Sequence, residues 1–259
     1  SFFKHFFIGF VGISSFVGGL NWLFDPYSIY NPPRINRLNT EKSPGAPRFF
    51  KPLQVSAQQP DVVILGSSRV QVGINPISIT NTYNFGIPGL TASELLGYGK
   101  HVLADTNVKR IVIGLDFFTF DDSQTISGSY ALAVLGKNSL LRAIPETLFS
   151  FNSLNLSRKT LRRSYKQKPT LHQRNGLYQL PMPSGRPPEA IVIDAIQQFT
   201  SNGGAYSGQK QIERSLGELS LLLGVANTMG VTVDLFISPT HATFMEAIDM
   251  MKLWGVYEN

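Results

Sequence analysis

The sequence predicts an α/β protein whose core is a parallel sheet, preceded by a membrane-spanning helix. From residue 61 onward, short apolar strands alternate with helical stretches, which is typical of right-handed βαβ crossovers. The first strand, 61–65, is apolar after its first residue, as expected of a strand buried on both faces of a sheet. An uncharged stretch at 6–24 precedes this domain. We therefore predict a three-layer α/β fold with an N-terminal transmembrane helix and a basic insert.

The other elements follow from the same kinds of pattern. Thr91 and Glu94 have the spacing of a capping box, which predicts a helix over 92–104. The remaining predicted strands are 82–85, 110–115 and 231–237, and the remaining predicted helices are 139–149, 189–199, 209–229 and one that begins near residue 242.

The apolar run at 6–24 contains nineteen residues and no charged side chain. A helix of that length rises about 28 Å, close to the hydrocarbon thickness of a bilayer. A buried core helix and a cleavable signal peptide are the alternatives. The run is long for a signal peptide and no Ala-x-Ala site follows it, which favours an uncleaved anchor. We assign 1–26 to the anchor, 27–60 to an extended stalk rich in Pro, Asn and Arg, and 61–259 to the folded domain.

Charge and composition limit the classes of partner. The net charge of +6 and the pI near 9.5 favour anionic surfaces such as lipid head groups or acidic polysaccharide. No zinc-finger, helix-turn-helix or RNP-type pattern is present, so nucleic acid is not expected as a partner. Because the chain has no cysteine, disulfides, thiol nucleophiles and cysteine metal sites are excluded. The cations flanking the apolar run are more numerous after it, which by itself places the folded domain in the cytoplasm.

An insert at about 123–188 interrupts the alternation of strands and helices. Its segment 157–174 has seven Lys or Arg residues and no acidic residue. Two interpretations are open: a solvated, partly mobile loop, or a contact for anionic glycan or lipid head groups.

Side chains that could carry chemistry follow each predicted strand. In an open parallel sheet the carboxyl ends of the strands meet at one edge, and ligands bind there. A tight Gly-Ser-Ser turn after the first strand can present a serine hydroxyl together with free backbone N–H groups, as acyl transfer requires. The residues that we expect at this edge are Ser68, Gly86, Asp116 and His241.

Arg69 and two histidines have more than one interpretation. Arg69 lies beside the serine and either binds a carboxylate or phosphate of a substrate or pairs with an acidic neighbour such as Asp121 or Asp122. His101 and His172 have no partner at metal-ligand spacing, so we predict no metal and no cofactor.

Three short blocks resemble the SGNH hydrolase family. They are Gly-Ser-Ser-Arg at 66–69, Asn-Phe-Gly at 84–86 and Gly-Leu-Asp-Phe at 114–117, in the order and spacing of the first three blocks of that family. The likeness covers the domain from residue 61 onward. It is greatest to the membrane-anchored SGNH-like proteins of bacterial cell envelopes, which are related to polysaccharide and teichoic-acid acyl-modifying proteins.

The resemblance implies a flavodoxin-like SGNH fold and a role for each matching residue. Ser68 is then the nucleophile, and its own N–H and that of Gly86 are oxyanion-hole donors, with Asn84 in the same block. Asp116 stands where the family usually has an asparagine donor, and a carboxylate donates only when protonated.

The family also carries an Asp-x-x-His block after its last strand. In this chain Ser-Pro-Thr-His at 238–241 follows the fourth predicted strand and lacks the aspartate. Either His241 reaches Ser68 and acts as the base, or the acid–base pair lies beyond Asn259 and the domain continues there. The early stop after the fourth strand favours the second alternative.

The expected function is hydrolysis or transfer of a small acyl ester, such as acetyl, on a polysaccharide. The resemblance implies a bacterial inner-membrane protein with its domain on the periplasmic side, against the cation count. Its implied partners are the lipid bilayer, an acylated polysaccharide or other anionic glycan, and a membrane acyltransferase. The alternative is a non-catalytic, membrane-anchored scaffold or glycan-binding component of an envelope assembly or export system.

Overall fold

The computed structural model describes residues 2–121, 126, 135–180, 185, 187–201 and 212–258. Within these residues the chain forms an α/β structure with a four-stranded, all-parallel sheet in the order β2-β1-β3-β4. This confirms the predicted α/β class and parallel sheet. The strands are β1 Val62–Gly66, β2 Thr82–Gly86, β3 Arg110–Leu115 and β4 Thr232–Ile237.

Ten α-helices accompany the sheet in the described part of the chain. Two short 3₁₀ helices, Pro76–Ser78 and Phe117–Phe120, follow α3 and β3. The α-helices are α1 Phe2–Phe24, α2 Pro47–Gln58, α3 Ser68–Gly73, α4 Ala92–Asp105, α5 Ser139–Phe149, α6 Phe151–Tyr165, α7 Pro188–Thr200, α8 Glu213–Thr228, α9 Ala242–Met250 and α10 Trp254–Glu258.

The predicted capping box begins α4. The Thr91 side chain accepts a hydrogen bond from the Glu94 N–H, and the Glu94 carboxylate accepts one from the Thr91 N–H, both at 3.2 Å. These two bonds satisfy N–H groups that have no partner inside the helix. The start of α4 is therefore fixed as the sequence predicts.

The main hydrophobic core lies around the two central strands and β2. Every residue of β2 is buried, and β1 is buried after its first residue, as expected of strands covered on both faces. Helices α4 and α8 contribute Leu95, Tyr98 and Leu222 to this core. The fourth strand is more exposed than β2, although both lie at edges of the sheet described here.

The segment 27–60 differs from the extended stalk that the sequence predicts. It contains α2, in which Phe50 and Leu53 are fully buried against α5 and α6. Pro52 lies inside this helix and has no N–H to donate to the Arg48 carbonyl one turn earlier. The Tyr98 hydroxyl donates to that carbonyl instead, at 3.3 Å. A tertiary contact thus stabilises α2. The proline inside this helix is the reason that the sequence did not predict it.

The basic segment 157–174 is helical in its first half, which differs from a solvated loop, one of its two interpretations. Helix α5 has the predicted bounds, and α6 extends through the first half of the basic segment, to Tyr165. Buried serine and threonine side chains alternate with exposed cations along α6, so one face packs and the other is charged. Parts of the insert, 123–125, 127–134, 181–184 and 186, lie outside the described residues.

Helix α1 has the length and composition of a membrane span. It contains 23 residues, and its most apolar window has a mean hydropathy of 1.6 and is only 11% buried. A signal sequence near the N-terminus has the same properties. The structure thus confirms one N-terminal helix able to span a membrane.

Candidate functional site

The predicted site residues surround the carboxyl edge of the sheet. β1 lies between β2 and β3, so the strand order reverses beside it, and this is where open α/β sheets bind ligands. The parallel registers pair Leu65 with Ile113 and Leu115 with Ile237, which brings the turns after β1, β3 and β4 together. Side-chain contacts among these turns define the candidate site.

The turn after β1 is shaped by Gly66 and Ser67. Gly66 has a φ of +155°, and an added Cβ would lie 2.4 Å from a methyl of Val70, so only glycine fits. Ser67 is the N-cap of α3, and its Oγ accepts a hydrogen bond from the Arg69 N–H at 3.1 Å. The same hydroxyl donates a short hydrogen bond to Asp116. Ser67 therefore joins the end of β1 to the end of β3.

Asp116 and Arg69 form an ion pair over this turn. The two side chains approach to 2.6 Å, and the Asp116 side chain is fully buried while that of Arg69 is 23% exposed. Arg69 also donates to Thr240 Oγ1 at 3.0 Å and lies 5.6 Å from the centre of the Phe118 ring. The predicted pairing of Arg69 with an acidic residue is thus present, with Asp116 as a partner. The predicted alternative partner Asp122 lies outside the described residues.

Ser68 differs from its neighbour Ser67 in both exposure and contacts. Ser67 is fully buried, whereas Ser68 is half-buried at the first position of α3. In the described part of the chain, the Ser68 hydroxyl has no hydrogen-bond partner. Of the two adjacent serines, Ser68 alone has an uncommitted hydroxyl.

Asn84 and Gly86 connect β2 to α3. The buried Asn84 amide donates to the carbonyls of Val70 and Ile74 at 2.7 Å, and its Oδ1 accepts from the Gly86 N–H at 2.9 Å. The Gly86 N–H, which the resemblance assigns to the oxyanion hole, is therefore engaged by Asn84. Gly86 also lies against the backbone of α3: an added Cβ would lie 2.2 Å from the Gln71 nitrogen.

His241 is the N-cap of α9. Its Nδ1 accepts from the Thr243 N–H at 3.3 Å and lies 2.8 Å from Thr243 Oγ1, and the side chain is exposed. Among residues 2–121, 135–180 and 212–258, no hydrogen bond joins His241 to Ser68. The structure thus places the histidine on the same sheet edge as the serine without coupling the two.

Lys51 supports the site from behind and was missed by sequence reasoning. Its ammonium group is fully buried and donates to the carbonyls of Asn84, Gly86 and Gly176 at 2.8–2.9 Å. Burial lowers the pKa of Lys51 well below its usual 10.5. The sequence predicts an extended stalk around Lys51 and gives no sign of this role, because the three carbonyl acceptors lie in distant segments of the chain.

An apolar cavity of about 210 Å³ opens beside Asp116. The cavity is lined by Leu115, Asp116, Phe117, Phe120, Ile212, Leu216, Leu219, Ile237 and Val256.

In the part of the chain that the structure describes, no group of three His, Asp or Glu side chains is arranged to hold a metal.

Acid sensitivity of folding is expected from His172. Its ring packs between Phe50 and Tyr178, and burial, with the Lys51 charge second, lowers its pKa from 6.5 to about 4. The unfolded chain takes up this proton near pH 6.5 and the folded chain only near pH 4. The free energy of unfolding should therefore fall as the pH decreases between these values.

His172→Phe tests this expectation because phenylalanine keeps the ring contacts. Urea unfolding at pH 7 and pH 5 should show a smaller loss of stability in the variant than in the native chain. Burial also lowers the pKa of His101. His101 therefore contributes in the same direction, and the stability of the His172→Phe variant should still depend on pH to a smaller extent. An unchanged pH dependence in His172→Phe would show that this ring is not the source.

A scan against protein-family models found no match to the chain, and a search of curated proteins found no significant match.

Proposed function

We propose that the chain is a membrane-anchored, SGNH-like serine esterase or O-acyltransferase that acts on acyl esters, chiefly acetyl, of a bacterial envelope polysaccharide. The observation that carries this proposal is the difference in hydrogen bonding and exposure between two adjacent serines. Ser67 is buried and committed to Asp116, which leaves the half-buried Ser68 hydroxyl uncommitted at the sheet edge where ligands bind.

The proposed reaction passes through an acyl-serine. Ser68 Oγ attacks the ester carbonyl carbon, and a base takes the hydroxyl proton and returns it to the departing sugar oxygen as the ester C–O bond breaks. Water or a second hydroxyl then attacks the acyl-serine by the reverse sequence. The base is either His241, after its ring leaves the α9 cap, or a group outside the described residues.

Other features are consistent with this class of substrate and site. The strand order β2-β1-β3-β4 supports the three-layer, flavodoxin-like arrangement proposed for the domain. The apolar cavity beside Asp116 suits a small acyl group, and the charge of +6 suits an anionic glycan. We place the domain on the periplasmic side of the bacterial inner membrane, where a membrane acyltransferase would supply the acyl group.

A second candidate function is a non-catalytic scaffold or glycan-binding component of an envelope assembly or export system. Two hydrogen bonds favour it. Asn84 occupies the Gly86 N–H, and Thr243 occupies His241 Nδ1, so a proposed oxyanion donor and the proposed base are both engaged elsewhere. This arrangement retains the fold without the coupling that acyl transfer needs.

Covalent labelling distinguishes the two functions. A fluorescent fluorophosphonate should label the full chain in detergent or vesicles, and Ser68→Ala should abolish the labelling. Ser78→Ala serves as the matched control, because it removes an exposed serine that does not lie at the carboxyl end of a strand. This variant should keep the labelling. A folded protein that takes up no label but binds polysaccharide would support the scaffold function.

A further inference from the structure

The helical pair α5–α6 is fastened to the predicted membrane span. Asn21, the one strongly polar residue in the apolar part of α1, donates to the Leu148 carbonyl and accepts from the Ser157 hydroxyl, both at 2.7 Å. The Phe149 ring lies directly on Gly18, where an added Cβ would be 2.7 Å from a ring carbon. The connection between α5 and α6 is therefore held at the level of residues 18–21 of α1.

This level lies inside the bilayer if α1 spans it. Gly18 is six residues and Asn21 three residues before the end of α1 at Phe24, which corresponds to about 9 Å and about 4.5 Å along the helix. Helices that lie in a membrane interface bury their apolar face to a depth of roughly 5–10 Å. The tip of α5–α6 is thus at the depth of an interfacial helix.

Two exposed phenylalanines lie at this tip, beside the polar residues Ser150 and Asn152. Phe151 is 91% exposed and Phe149 50% exposed. Two apolar grooves of about 400 and 430 Å³ separate α1 from α5 and α6, and their walls include Phe149 in one and Phe151 in the other. In water these surfaces would be unfavourably exposed, whereas lipid chains would fill them.

Cations follow this tip along α6. From 151 to 168 the chain has six Lys or Arg residues and no acidic residue. Most of these side chains are exposed, and a cleft of about 240 Å³ is lined by Ser43 and five of them: Lys159, Arg162, Arg163, Lys166 and Lys168. Two exposed phenylalanines beside a cationic face complement an anionic lipid surface, with acyl chains against the former and phosphates against the latter.

We propose that α5–α6 is a second membrane-binding element, which inserts Phe149 and Phe151 into one leaflet and binds anionic lipid phosphates through the cations of α6. This inference rests on the proposed membrane span of α1 and is independent of the serine chemistry. According to this proposal, the cations of the basic segment bind lipid head groups, and the folded domain is oriented with α5–α6 towards the membrane.

Single cysteines test the insertion, because the chain has none of its own. Phe10→Cys reports on α1, Phe151→Cys on the tip, and the 76%-exposed Ile77→Cys on the sheet domain. Each full-length variant is labelled with an environment-sensitive dye in vesicles that contain lipids with nitroxide on the acyl chain. We expect strong quenching at positions 10 and 151 and little at position 77.

The outcomes separate the anchor from the tip. An unquenched label at position 10 would overturn the span itself and, with it, this inference. Quenching at position 10 with a water-exposed label at position 151 would overturn the inference alone. An apolar but unquenched label at position 151 would also overturn it, and would show that protein, such as a second copy, covers the tip.

Charge variants test the lipid preference. With the dye at position 151, nitroxide phosphatidylglycerol should quench more than nitroxide phosphatidylcholine at equal mole fraction. Lys159→Gln with Arg162→Gln should reduce that preference by about fivefold for each cation removed. Arg110→Gln, an exposed cation on β3, is the control and should keep it. Equal quenching by both lipids in the labelled Phe151→Cys chain without the charge substitutions would remove the phosphate contact from the proposal.

Discussion

Ser68→Ala is expected to lower the hydrolysis of a small acyl ester by at least about 1,000-fold, because the acyl-serine can no longer form. Initial rates with an acetylated chromogenic ester measure this directly. Ser78→Ala should keep the native rate, and circular dichroism should show that both variants are folded. A Ser68→Ala rate equal to the native rate would mean that Ser68 is not the nucleophile.

The same assay decides the role of His241. His241→Asn keeps an N-cap for α9, since asparagine is among the best capping residues, and removes the imidazole. We expect the variant to keep most of the native rate, because the Nδ1 atom is committed to Thr243. A loss as large as that of Ser68→Ala would instead identify His241 as the base.

Gly86→Ala is expected to destabilise the fold by about 3 kcal/mol or more. The new methyl would lie 2.2 Å from the Gln71 nitrogen and 2.5 Å from its Cα, and backbone atoms cannot move aside as a flexible side chain can. The strain would separate β2 from α3, which carries Ser68. Chemical denaturation of the native and variant chains measures the difference.

Gly73→Ala is the matched control for this substitution. Gly73 ends the same helix, α3, and nothing lies within 4 Å of an added Cβ. We expect a change of less than about 1 kcal/mol, of either sign. Similar losses in the two variants would show that the close approach of β2 to α3 does not determine stability.

Local patterns predicted the sheet well. The apolar runs gave all four strands of the described sheet to within one residue at each end, and the spacing of Thr91 and Glu94 gave the start of α4. These elements depend on short-range periodicity and capping, which a single sequence displays. The apolar run also predicted α1, which extends four residues further towards the N-terminus.

Long-range contacts explain what sequence reasoning missed. Helix α2 depends on Tyr98, which satisfies the carbonyl that Pro52 leaves free, and α6 depends on packing against α1. In the candidate site, the positions of Ser68 and Asp116 at one edge were predictable from strand order. The commitment of Ser67 to Asp116 was not, because that bond joins two turns that are 49 residues apart in the chain. The local bond from the Gly86 N–H to Asn84, two residues earlier in β2, was also missed.

The most direct test is a crystal structure of the protein after treatment with a small alkyl fluorophosphonate. We expect phosphorus bonded to Ser68 Oγ at the carboxyl edge of β1, with the bonds from Ser67 and Arg69 to Asp116 intact. Phosphorus on Ser67, or an unmodified Ser68 covered by packed side chains, would contradict the assignment of Ser68 as the reactive hydroxyl.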